Sequence, residues 1–136
     1  MKTIDIGSLF RNNIKNLKPY TSARDEFKEI TGDFIFLDAN ENPFDTGFNR
    51  YPDPQQHKLK KVFSELKRVN EDQILFGNGS DEVLDLIIRA FCEPGIDNVL
   101  GISPSYGMYE VLANINNVEY KKSLLNSLDF SLNLND

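Results

Sequence analysis

Apolar positions along the chain follow two spacings, and the alternation between them sets out its elements. Leu59, Val62, Phe63, Leu66 and Val69 recur every three or four residues, with Lys58, Lys60, Lys61, Lys67 and Arg68 elsewhere on the wheel. That is the stripe of an amphipathic helix. Val83, Leu86, Ile87, Ala90 and Phe91 repeat it over about Ser80 to Cys92. A third helix is expected from near Tyr106 to Asn116 and Asn117. Shorter apolar runs read as extended segments: Phe34 to Leu37, Ile74 to Phe76, Val99 to Ile102, and Val118 to Leu125. Gly101, inside the third of these, leaves room for close packing. Strands alternating with helices imply right-handed βαβ units and a largely parallel sheet, hence an α/β fold.

Punctuation sharpens the boundaries. Asp53 can cap a helix, Pro54 suits the first helical position, and Gln56 can reach back as in a capping box. Asn70 to Asp72 breaks that helix, and Pro94-Gly95 stops the next. Asp38 to Asp53 is rich in turn formers and reads as loop. Residues 1–33 are polar and irregular, with an amphipathic hint at Ile4, Ile6, Leu9, Phe10, Ile14 and Leu17 that Pro19 ends. They read as an arm that needs a partner surface to order.

Composition changes this picture little. At 136 residues, 40% of them hydrophobic, the chain can bury a real core. The longest apolar run, Phe34 to Leu37, is too short to span a bilayer, and the start shows no signal peptide. A net charge of −6 with both signs scattered argues against non-specific nucleic-acid binding. The single cysteine, Cys92, excludes an intramolecular disulfide and fits a reducing cytoplasm.

The chemistry gathers at two strand ends. Gly77-Asn78-Gly79-Ser80-Asp81 follows one strand and opens a helix. Its glycines permit close approach by a ligand, and the N–H groups of Ser80 and Asp81 would be unpaired first-turn donors suited to a phosphate. Asp81 and Glu82 oppose an anion, so the backbone and not the carboxylates would have to face it. On spacing alone, a tight turn capped by Ser80 or Asp81 is the better reading. Tyr106, after Pro104 at the next strand end, could stack on a conjugated ring, although taken alone a half-buried packing tyrosine is the better reading. Tyr109 packs or faces solvent. Ser64-Glu65-Leu66-Lys67 matches a serine-acylation pattern but lies within a surface helix. One histidine, His57, and one cysteine make no zinc set. Asp38 and Glu41 share a loop too loosely for paired acid–base work, and Cys92 reads as inert packing.

The ordered combination says more than its parts. Pro19 to Arg24, Leu37 to Pro43 (LDANENP), Asn49 to Pro52 (NRYP), Gly77 to Glu82, Ile88 to Gly95 (IRAFCEPG) and Ser105 to Tyr109 (SYGMY) together resemble the histidinol-phosphate aminotransferases. These are fold-type-I pyridoxal-phosphate enzymes. The resemblance implies a partial large domain of that fold over residues 53–136, preceded by an arm and a substrate and dimer loop over 1–52. It implies pyridoxal 5'-phosphate as cofactor, with Gly79, Ser80 and Asp81 at its phosphate and Tyr106 on its ring. Tyr51 would reach the phosphate of the partner subunit, and Tyr20, Asn40 and Glu41 would line the substrate site. It implies a cytoplasmic homodimer that exchanges an amino group between glutamate and imidazole-acetol phosphate, with no nucleic-acid or membrane partner. The arm would cross the dimer and close the pocket.

The family's Schiff-base lysine, the aspartate for the pyridine nitrogen and the substrate arginines have no counterpart here. Lys121 and Lys122 do not match the lysine motif, so no catalytic residue is assigned. The chain is therefore expected to be a truncated part, inactive alone. Two other readings stay open: a related enzyme such as a threonine-phosphate decarboxylase, and a phosphate-binding module without chemistry.

Overall fold

Residues 4–21, 35, 37 and 39–132 are described by a computed structural model, in two compact units. The expected extended segment at 34–37 lies partly outside these residues, as do Asp38 and the stretch 22–24. No helix among the described residues is long and apolar enough to cross a membrane.

The first unit comprises residues 1–17 and 75–136. Its frame is α4 (Ser80–Phe91), β1 (Asn98–Ser103), α5 (Met108–Ile115) and β2 (Glu119–Leu124), numbered after the three helices described below. β1 and β2 pair in parallel, from Asn98 opposite Glu119 to Ser103 opposite Leu124, and α5 makes the crossover. Ile88, Leu112, Ala113 and Val118 form the buried core, with Leu84, Cys92, Val99, Met108 and Tyr120 packed around it.

Within β1, a Cβ at Gly101 would overlap the phenol of Tyr120. The close packing expected at this glycine is therefore a tyrosine ring laid across the neighbouring strand.

Two expectations fail, one at residues 74–76, where the units adjoin in sequence, and one in α4. Ile74 to Phe76 forms no strand, although Ile74 has extended backbone angles (φ −115°, ψ 126°). A strand exists through its ladder, and the described sheet is only β1 and β2. The buried side of α4 is also displaced from the expected stripe. Leu84 and Ile88, four apart, face the core, whereas Leu86 and Ile87 are exposed. The apolar side of α4 spans about half its circumference, and Leu84 and Ile88 lie at the margin of it that packs against α5.

The arm begins with two single turns, α1 (Ile6–Leu9) and α2 (Asn12–Lys15). The two residues between them, Phe10 and Arg11, dock on the chain's own α4. Phe10 stacks on Phe91 at 4.7 Å. Arg11 donates its N–H to the Ala90 carbonyl, Nη1 to the Arg89 carbonyl and Nη2 to Glu93 Oε1. The last carbonyls of a helix lack intrahelical partners and carry partial negative charge, so a guanidinium suits them. Ile4, Ile6, Leu9 and Leu17 stay exposed.

The second unit, residues 18–74, holds α3 (His57–Lys67) and a 3₁₀ turn at Glu71–Gln73. α3 starts later than expected because Pro54-Gln55 form a turn and Gln56 adopts a left-handed conformation (φ 55°). Asp53 still serves the helix start, accepting from the N–H groups of Gln55 and His57 and from His57 Nδ1. Gln56 makes no capping box; one forms instead between Asn70 and Gln73. Leu59, Val62 and Leu66 of the expected apolar stripe are exposed.

Candidate functional site

The carboxyl ends of β1 and the turn before α4 meet through side chains. β1 ends at Ser103, the Ser103–Pro104 peptide is cis, and Tyr106 follows. Its hydroxyl donates to the Asp81 carboxylate, at 3.2 Å from Oδ1 and 3.3 Å from Oδ2. Tyr109 packs its ring edge-on against Tyr106, with centroids 5.9 Å apart and planes at 88°. Tyr106 is thus held at its hydroxyl and against the Tyr109 ring while about half its surface stays open. Partial desolvation and the Asp81 charge push its phenol above the usual range.

The turn itself is tied down by Glu82, whose Oε2 accepts from the N–H and the side-chain amide of Asn78. A Cβ on Gly77 would stand 2.7 Å from Val83 Cγ2, so a side chain there would force Val83 to shift. Gly79, with φ at 86°, caps α4 without a side-chain hydrogen bond and has open space where a Cβ would stand. The first-turn N–H groups of α4 are therefore uncapped, at the positive end of the helix dipole.

Each flanking carboxylate is turned to a local donor, Asp81 to Tyr106 and Glu82 to Asn78. Both partners are neutral, so the two charges remain, but neither carboxylate caps the first-turn N–H groups. The donors, the open glycine and the half-exposed ring fit a phosphorylated planar group. Gly79, Ser80, Asp81 and Tyr106 are brought together and Tyr109 packs, one of its two expected outcomes, whereas the role of Glu82 and the ring that Tyr109 meets were missed. Glu82 lies four residues from its partner, a spacing that could have been noticed; Tyr109 follows Tyr106 by three at the start of a helix, where such spacing brings rings together.

Tyr20, Asn40, Glu41 and Tyr51 belong to the second unit. Tyr20 and Asn40 are exposed. Glu41 takes the Arg50 guanidinium on Oε2 at 2.7 Å and the Tyr51 N–H on Oε1 at 2.8 Å. The Tyr51 side chain is exposed.

The lesser candidates take structural roles. Lys121 pairs with Glu119 at 3.8 Å and Lys122 with Glu110 at 2.8 Å. Ser64 donates its hydroxyl to the Lys61 carbonyl within α3. His57 pairs with Asp53. Burial and the Asp97 charge push the Cys92 thiol up, consistent with packing. No group of three or more His, Cys, Asp or Glu among the described residues is placed to hold a metal ion.

A family model for class I and II aminotransferases matches residues 15–136. The histidinol-phosphate aminotransferase of Flavobacterium psychrophilum is 58% identical over 136 residues, all of this chain and 39% of the relative. That of Christiangramia forsetii is 60% identical over 126 residues, 93% of this chain and 36% of the relative. That of Bacteroides fragilis is 53% identical over 136 residues, all of this chain and 38% of the relative. The chain spans well under half the length of these curated relatives.

Proposed function

The chain belongs to the class I and II aminotransferases, and from that premise we propose that it is part of a pyridoxal-phosphate enzyme. The whole protein transfers an amino group between glutamate and imidazole-acetol phosphate, giving histidinol phosphate. The relatives are histidinol-phosphate aminotransferases by name, which supports this substrate. The observation that carries the reading is the uncapped start of α4 beside the ring of Tyr106, joined through Asp81.

Pyridoxal phosphate, when bound, supplies an electron sink for the carbon that bears the amino group. Ser80 and Asp81 would donate backbone N–H groups to its phosphate, with Gly79 leaving room for the approach. Tyr106 would cover one face of its ring and shield that face from water. Tyr51 would serve the phosphate bound by the other subunit of a homodimer, and Tyr20 and Asn40 would border the substrate. Neither Lys121 nor Lys122, both ion-paired on a strand, is assigned the lysine chemistry that transamination needs. The 136 residues alone should therefore be inactive.

The test is an assay of the whole protein, made by continuing this chain with the remaining length of the Flavobacterium psychrophilum relative. Histidinol phosphate and 2-oxoglutarate should be converted in a cofactor-dependent way. Decarboxylation of a phosphorylated amino acid without amino transfer would replace this reading with that of a related decarboxylase.

A further inference from the structure

Glu41, expected at the substrate, is bound within its own loop. Its side chain is only 4% exposed. One carboxylate oxygen receives the Arg50 guanidinium, and the other receives the backbone N–H of Tyr51. Asn49 closes the same loop from beside them, donating its side-chain amide to the Asn42 carbonyl at 3.3 Å. Within the loop, Asn42 and Asp45 accept from the N–H groups of Phe44 and Gly47. The segment 41–51 is thus a loop whose two ends meet at one carboxylate.

We infer that Glu41 is a positioning residue, which clasps the base of loop 41–51 and fixes the backbone from which the Tyr51 phenol projects. A charge-assisted bond to a backbone N–H is about twice as strong as a neutral one, and the buried carboxylate costs energy unless both oxygens are served. Glu41 therefore holds the loop closed instead of reaching outward for a ligand. Its link to the reaction rests on the reading of Tyr51 as part of the cofactor site.

The experiment compares Glu41→Ala, Glu41→Gln and Arg50→Ala in the whole protein. Amide exchange at Tyr51 is read without cofactor, and the pyridoxal phosphate dissociation constant and substrate KM are read with it. Glu41→Ala should speed Tyr51 exchange and weaken cofactor binding, each by about tenfold, the size of one lost charged hydrogen bond. Glu41→Gln keeps an oxygen for the N–H and should restore most of the Tyr51 protection; Arg50→Ala should fall between.

Should Glu41→Ala fail to fold, the other two variants carry the comparison. A raised substrate KM in Glu41→Gln, with Tyr51 exchange and cofactor affinity unchanged in all variants, would overturn the inference and return Glu41 to the substrate. A parent protein that binds no pyridoxal phosphate would sink the proposed function instead. The Tyr51 exchange, measured without cofactor, would still decide the clasp.

Discussion

Tyr106 owes its orientation to two neighbours, Asp81 at its hydroxyl and the perpendicular ring of Tyr109. Its position at a strand end was legible in the sequence. The Asp81 contact was not, because it joins residues 25 apart that only the packing of α4 beside the β1–α5 unit brings together. Glu41 shows the same limit: its bonds to Arg50 and to the Tyr51 N–H join residues nine and ten apart through a loop whose course the motif does not give. In the whole protein, Tyr106→Ala should weaken cofactor binding more than Tyr109→Ala, since aromatic stacking adds about 0.5–1.5 kcal/mol beyond burial. Equal dissociation constants would remove the assignment. Asp81→Asn should lower the Tyr106 phenol part of the way towards its ordinary value, because the carboxylate charge goes while the desolvation stays. An ultraviolet titration, referenced to Tyr106→Phe, reads this directly; no movement would mean the hydrogen bond does not form in solution.

The helix beginnings separate what pattern can say from what it cannot. α4 starts at Ser80, where Gly79 and the apolar period placed it. α3 starts at His57, because the left-handed Gln56 delays the helix while Asp53 still holds its first turn. Hydrogen bonds from the His57 ring and backbone depress the Asp53 carboxyl from 3.8 to about 2. A depressed carboxyl stabilises the folded form above its ordinary pKa and loses that contribution as pH falls through the lowered value. The first turn of α3 should therefore fray between about pH 4 and pH 2, seen as a carboxyl titration at Asp53 by NMR. A midpoint near the ordinary value would contradict the cap. In β1, Gly101→Ala should cost about 1–3 kcal/mol through overpacking against Tyr120. Thermal melts of the whole protein would show it, with Tyr120→Ala relieving the clash; a neutral Gly101→Ala would mean that the ring moves aside freely. The Ile74 to Phe76 run was misjudged for another reason: apolar character marks a segment that can pair, and the partner is what makes it a strand.

For the molecule as a whole, the parallel α/β character was legible and the extent of burial was not. Only Ile88, Leu112, Ala113 and Val118 form a buried apolar cluster among the described residues. Val99 and Tyr120 face that cluster, while Leu100 and Ile102, on alternate positions of β1, remain exposed. Each strand of the pair also keeps one edge without a ladder among the described residues. Such surfaces promote association, and relatives of more than twice the length have further chain with which to cover them. The central claim is that the start of α4 holds the cofactor phosphate through backbone N–H groups. Ser80 is the first residue of α4, where proline is tolerated in a helix and lacks the N–H. The decisive measurement is the affinity of the whole protein carrying Ser80→Pro for pyridoxal phosphate and for pyridoxal, which lacks the phosphate, with Ser80→Ala as control. Ser80→Pro should weaken pyridoxal phosphate about tenfold or more, the size of one charge-assisted hydrogen bond, and leave pyridoxal unchanged. Unchanged affinity for both, or an equal loss for both, would contradict it.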